Sequence, residues 1–268
     1  MSDLGKRNVD ALAVRGREAR SCGDALVVEE PLEIRLDGEP LAVTMRTPGH
    51  DLELAAGFLV TEGIARDFGA VTSLAHCDAE GNTVLARTEA AAPGIVRPEP
   101  RAFVASSACG LCGKATLESL RTRAPALHAD LTRVAPATLY ALPERLRAAQ
   151  ALFRDTGALH AAGLFTSGGE LVCAREDVGR HNAVDKVVGW AALERRLPLA
   201  GHVLVVSGRA GFEIAQKALV AGIPIVAAIS GSSSLAVELA RENGMALVAF
   251  LRGEALTVYA GSDRLELG

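Results

Sequence analysis

The chain has 268 residues, 49% of them hydrophobic, enough for one large core or two modest ones. Charged residues make up 22% and the formal net charge is −4, which argues against a general nucleic-acid binder, although a local group of arginines can still hold a small anion. Five cysteines in a chain this long do not read as a disulfide framework, and the longest apolar runs, such as 223–229, fall far short of the ~20 residues of a membrane-spanning helix.

The polar start, MSDLGKRNVDALAVRGREAR, lacks the apolar centre of a signal peptide. Residues 1–22 are therefore expected as a flexible extension, and the protein as cytoplasmic. Residues 23–100 read as a strand-rich subdomain. Leu32, Ile34 and Leu36 alternate with polar residues, Asp37-Gly38 supplies a hairpin turn, and Val43 and Met45 alternate again. Pro48 and Asp51 open a helix with Leu54, Phe58 and Leu59 on one face and Gly63 near its end, and a strand follows at 83–86. The Ala- and Pro-rich stretch 91–104 marks a domain boundary.

Residues 101–268 read as an α/β domain. SACGLCGK leads into a short helix carrying Leu117 and Leu120, and a longer helix spans Leu142 to Phe153 with Pro143 near its start. Two strands, HAAGLFT and ELVCA, precede a helix over 181–193. Strand 202–206, helix 212–221, strand 223–229, helix 235–243 and strand 246–251 complete the pattern, with Gly222 and Gly244 where helix ends are expected. Alternation of this kind implies parallel pairing. The turns at Ser207, Gly208 and Arg209, at 230–233, and at Arg252 and Gly253 would then share the carboxyl edge of one sheet. Ligands of open α/β sheets bind there, with backbone N–H groups and arginines available to phosphate.

The pair Cys109 and Cys112 lies in a loop ahead of a helix, close to Lys114, where the helix dipole favours the thiolate. Gly110 and Gly113 are expected to leave that loop flexible. Structural zinc needs further ligands that the chain does not offer, and none of the six histidines begins the H-x-E of a zinc deaminase. Dithiol redox chemistry and persulfide transfer both remain open on these residues. In EDVGRHNAVDK (176–186), His181 and Asp185 are spaced to share a helix face with Arg180 beside them. This cluster and His160 follow or begin strands at the presumed ligand edge.

Several separated blocks resemble one family, the formate dehydrogenase accessory sulfurtransferases, FdhD. They are MRTPGHDLELAAGFLVTEGI (45–64), SSACGLCGK (106–114), TGALHAAGLF (156–165), EDVGRHNAVDK, SGRAGFEIAQKALVAGI (207–223) and VAFLRGEALTVYA (248–260). The resemblance implies a cytidine-deaminase-like layered α/β fold without a metal site, and a homodimer. It also implies a sulfur carrier, loaded with persulfide sulfur by a cysteine desulfurase. The sulfur goes to the molybdenum of a bis(molybdopterin guanine dinucleotide) cofactor destined for formate dehydrogenase. The family's persulfide cysteine falls on Cys109, with Cys112 as its neighbour. Its cofactor-binding segment falls on Phe250, Leu251, Arg252, Gly253, Glu254 and Ala255. Ser207, Gly208, Arg209, Arg180 and His181 are expected to complete that site. The turn ISGSSSLAV (229–237) and Gly211 depart from the family's usual residues at this edge.

Overall fold

The computed structural model describes residues 4–89, 92–97, 103–105 and 126–267, the backbone alone for 103–105. Its centre is a six-stranded sheet built from β8 (His160–Thr166), β9 (Leu171–Asp177), β10 (His202–Val206), β11 (Ile225–Ala228), β12 (Ala246–Arg252) and β13 (Ala255–Ala260). The spatial order is β13-β12-β11-β10-β8-β9. Alternating side chains divide the core. Val203, Val205, Ile225 and Ala227 face Leu139, Leu142 and Leu146 of α2 (Pro136–Ala149). Leu204, Val206, Val226 and Ala228 face α4 (Arg180–Leu193), α5 (Phe212–Val220) and α6 (Ser234–Glu242). The period of two thus buries both faces of the sheet.

Only β10, β11 and β12 are parallel; β8, β9 and β13 run antiparallel to their neighbours. The parallel pairing expected of the alternating strands holds for β10, β11 and β12, while β8–β9 and β12–β13 are hairpins whose connections are too short for a crossover. Pro143 lies inside α2 rather than at its start, and the helix breaks at Gln150 before α3 (Ala151–Thr156). Glu176 caps that break by accepting from the N–H groups of Leu152 and Phe153 at 3.0 and 2.8 Å. Gly222 and Gly244 end α5 and α6 with φ of 76° and 68°, conformations that a glycine adopts without strain.

A second, five-stranded sheet has the order β5-β6-β3-β4-β7. Its strands are β3 (Glu30–Leu36), β4 (Glu39–Arg46), β5 (Val71–His76), β6 (Thr83–Thr88) and β7 (Phe103–Ala105). β7 pairs with β4 in parallel, so the N-terminal sheet continues past the expected boundary at 100. Residues expected as a loose extension form a hairpin instead, β1 (Lys6–Arg15) with β2 (Glu18–Val27), closed by Gly16 at a φ of 64°. Interleaved charges hide its strand pattern from a reading of hydrophobic alternation.

Helix α1 (Asp51–Thr61) lies between the two sheets, burying Leu54, Ala55 and Leu59 against the smaller one. Its other side meets α4 at glycines. A Cβ on Gly57 would lie 2.9 Å from the Asp185 Cα, and one on Gly189 would lie 2.6 Å from the Gly57 nitrogen. Backbones this close leave no room for a methyl group.

Candidate functional site: the carboxyl edge of the six-stranded sheet

The antiparallel β8 and β9 bring His160 and Asp177 to the same edge as the carboxyl ends of β10, β11 and β12. The turns singled out in the sequence do meet there. Ser207 Oγ accepts from the Ala161 N–H at 2.9 Å, which ties β8 to the turn after β10. Ser232 Oγ donates to the Ala210 carbonyl at 2.8 Å, and the Ala210 N–H donates to Gly231 at 3.1 Å. The Phe250 N–H in turn donates to Ser230 at 3.0 Å. Three successive turns are therefore bound into one rim. Ser233 uses its hydroxyl to cap α6, so the unusual 229–237 sequence still opens a helix.

Cations line this rim. Arg209 is exposed and Arg180 half-buried, and neither has a hydrogen-bond or ion-pair partner among the described residues. Arg252 is exposed and spends only Nε, on the Ile229 carbonyl at 3.2 Å. A Cβ on Gly208 would touch His160 at 3.4 Å and Arg180 at 3.8 Å, so these two side chains flank that glycine. Burial first, then the neighbouring Arg180 and His181, hold His160 below the usual imidazole range. Phe250 sits 47% exposed at a φ of 53°, a left-handed position that aromatic residues seldom take. Gly253, Glu254 and Ala255 are exposed at the β12–β13 turn, while Leu251 is fully buried and faces the core. Only the Leu251 backbone is left for a ligand.

The block EDVGRHNAVDK divides in two. Asp177 is fully buried; its Oδ2 pairs with Lys186 Nζ at 2.7 Å and accepts from the Thr47 N–H at 3.2 Å. Its Oδ1 accepts from Gly179 and Asn182 at 2.8 and 2.9 Å. Asp185 turns to Lys217 Nζ at 2.9 Å and Thr61 Oγ1 at 2.7 Å, away from the partnership with His181 that spacing suggested. These buried groups join the lobes. His181 instead meets Glu213 of α5, Nε2 to Oε2 at 2.7 Å. Sequence reasoning missed Glu213, whose only local signal is a carboxylate in the first turn of a helix, ordinarily a dipole effect.

Concavities elsewhere are already spoken for. A cleft of about 600 Å³ lies over Arg46, His50 and Glu53, and one of about 340 Å³ lies beside His128 and Arg264. Arg46 is bonded to Asp51, Glu30 and Asn82, and Arg264 to the carbonyls of Leu127, Asp130, Thr132 and Gly244.

Cys109 and Cys112 lie outside the described residues. The strand that leads toward them does not. Ala105 pairs with Thr44, Thr44 Oγ1 donates to Asn182 Oδ1 at 3.3 Å, and Asn182 Nδ2 donates to the Met45 carbonyl at 2.8 Å. Asn182 adjoins His181 in α4. Cys109 is four residues beyond Ala105, a span of at most about 14 Å. Cys22 and Cys77 are free thiols, and burial pushes the Cys173 thiol up to about 11, which makes it inert. Among the described residues no group of three His, Cys, Asp or Glu side chains is placed to hold a metal ion, and no helix is long and apolar enough to cross a membrane.

The chain is 55% identical over 253 residues to a sulfur carrier protein FdhD of Streptomyces coelicolor, covering 91% of this chain and 90% of that one. It is 50% identical over 253 residues to a sulfur carrier protein FdhD of Mycobacterium tuberculosis, covering 90% and 92%. The fold resembles the crystal structure of a putative formate dehydrogenase accessory protein from Desulfotalea psychrophila, with a TM-score of 0.78 at 23% identity, over 97% of this chain and 99% of the other. The family pattern of FdhD/NarQ matches residues 27–266, and the chain belongs to the FdhD/NarQ family.

Proposed function

We propose that this protein is a cytoplasmic, homodimeric sulfur carrier required for formate dehydrogenase activity. Cys109 accepts persulfide sulfur from a cysteine desulfurase, and Cys112 stands by to resolve mixed disulfides. The sulfur passes to the molybdenum of bis(molybdopterin guanine dinucleotide), the substrate, before that cofactor enters formate dehydrogenase. Family membership over residues 27–266 supports the chemistry. The layered α/β domain supports a cytidine-deaminase-like reading of the fold, with ligand-binding loops in place of a zinc site.

The observation that carries the reading is the rim itself. Three arginines with guanidinium N–H groups to spare stand at one sheet edge, and β7, whose last residue Ala105 precedes Cys109 by four in sequence, pairs with β4. The cofactor brings phosphates and a purine, which fit arginines, glycine turns and the exposed Phe250 ring. Mo-binding atoms need no permanent site in the carrier.

The test is formate dehydrogenase activity in cells that lack their own accessory protein. The intact chain restores activity, and Cys109→Ala does not while accumulating to the same level. Restoration by Cys109→Ala would replace the carrier by a chaperone of the cofactor.

A further inference from the structure

His160 begins β8, which runs antiparallel to β10, so this first residue stands beside the turn that follows β10. Two bonds at its neighbour hold it there. The Ala161 N–H donates to Ser207 Oγ at 2.9 Å, and the Ser207 N–H donates to the Ala161 carbonyl at 3.0 Å. The ring lies against Gly208. A Cβ on that glycine would lie 3.4 Å from His160 Nδ1 and 3.8 Å from Arg180 Cδ. The missing side chain thus leaves a gap flanked by an imidazole and the stem of an arginine.

Neither flank is used within the fold. His160 and Arg180 are both half-buried, and neither has a hydrogen-bond or ion-pair partner among the described residues. Asp177 pairs with His160 across the β8–β9 ladder, but its carboxylate is spent on Lys186, Thr47, Gly179 and Asn182. The other ionisable groups that face the ring are Arg180 and His181 of α4, and His181 is turned to Glu213. Burial, then Arg180 and His181, weaken the hold of His160 on a proton. A half-buried polar ring without a partner calls for an explanation. An anion in the gap over Gly208 supplies one, because it accepts from both flanks and offsets the positive charge beside the ring.

We infer that His160 is a further binding residue of the rim: with Arg180 it receives a phosphate group over Gly208, and it takes up a proton from solvent as that phosphate arrives. The inference rests on the reading of this edge as a nucleotide site. No covalent bond of the ligand changes. The imidazole gains one proton and donates an N–H to a phosphate oxygen, while the guanidinium of Arg180 donates to the same group. An anion within hydrogen-bond reach favours the protonated ring, and by linkage the protonated ring favours the anion. Binding therefore tightens as pH falls through the range where the occupied site gains its proton, and levels off once the empty site is protonated too.

The experiment follows the Cε1–H resonance of His160 by NMR in the full chain, from about pH 5 to pH 8.5, on either side of the ordinary imidazole value of 6.5. The resonance is assigned by its loss from His160→Gln, or from His160→Asn should the first variant fail to fold. The protein is titrated free and with GDP, inorganic pyrophosphate or guanosine. GDP and pyrophosphate should each make His160 hold its proton roughly tenfold more tightly or better, the least expected of an opposite charge this close, and guanosine should not. Calorimetry should show the reciprocal gain: wild-type affinity for GDP rises across this range by roughly tenfold more than that of His160→Gln, which registers only the ligand's own ionisation. A His160 titration that stays put while GDP binds overturns the inference and leaves the nucleotide reading standing. An equal response to guanosine overturns the assignment of the site to phosphate, and failure of both GDP and pyrophosphate to bind overturns the site altogether. A shift with pyrophosphate, with GDP binding no tighter than pyrophosphate, upholds the phosphate site and sinks the guanine nucleotide reading.

Discussion

Replacing Gly189 by alanine tests how the two lobes are joined. In an ordinary helix interior the change stabilises by roughly 0.5–1 kcal/mol, because alanine loses less backbone entropy. Here the added Cβ overlaps the Glu53 carbonyl and lies 2.6 Å from the Gly57 nitrogen, both backbone atoms of α1. Carbon atoms prefer separations of about 3.5–4.0 Å from such neighbours, so α1 and α4 must part by about 1 Å or more. Side chains cannot yield on their behalf. Parting the helices also strains the Thr61–Asp185–Lys217 cluster, whose bonds are 2.7 and 2.9 Å. Overpacking costs about 1–3 kcal/mol where side chains can adjust, and a backbone clash sits at or above the top of that range. A loss of about 3 kcal/mol lowers Tm by roughly 6–12 °C in a chain of this size. Thermal melts followed by circular dichroism, with urea midpoints as a second measure, read the effect. Gly23→Ala, where a Cβ meets nothing within 4 Å, is the control and stays near wild type. A Gly189→Ala protein as stable as wild type would refute the close helix crossing.

Arg209→Ala and Arg252→Ala should each weaken GDP binding by roughly ten- to a hundredfold, the worth of about 1.5–3 kcal/mol for a charge-assisted hydrogen bond, with sulfur loading intact. Calorimetry showing unchanged affinity in both variants would move the nucleotide site elsewhere. Lys186→Met leaves Asp177, fully buried, without its cation and should cost about 3–5 kcal/mol of stability in urea unfolding; a neutral effect would show that the ion pair does not join the lobes. Burial pushes the Glu53 carboxyl up, but Arg175 at 2.7 Å, together with His50, draws it down to about 2 from an ordinary 4.5. Its stabilisation is complete above pH 4.5 and lost as pH falls toward 2. Glu53→Gln should therefore flatten that part of the stability–pH curve, and an unchanged slope would contradict the pairing.

The sequence carried the periodic elements well. Val203 to Val206 and Ile225 to Ala228 form strands as expected, and Gly222 and Gly244 end the helices they were expected to end. Placing the three turns on one edge needed only element order and the handedness of crossovers. Strand direction was less legible: the hairpin of β8 and β9 has the same alternation whichever way it joins β10. The N-terminal hairpin went unseen because its apolar residues are interrupted by charge, and β7 because its three residues are too few to show a period. Long-range partners were hidden for a different reason. Lys217 lies 32 residues from Asp185, and Thr61 lies 124 from it, distances over which local periodicity says nothing. Glu213 belongs with these, since only the fold brings α5 to His181.

The most direct test of the account is the mass of the protein after incubation with a cysteine desulfurase and cysteine. The account predicts one added sulfur on the peptide carrying Cys109, removed by dithiothreitol and absent from Cys109→Ala. Added sulfur on Cys109→Ala equal to that on the wild type, or none on the wild type under conditions that load the desulfurase, would contradict it.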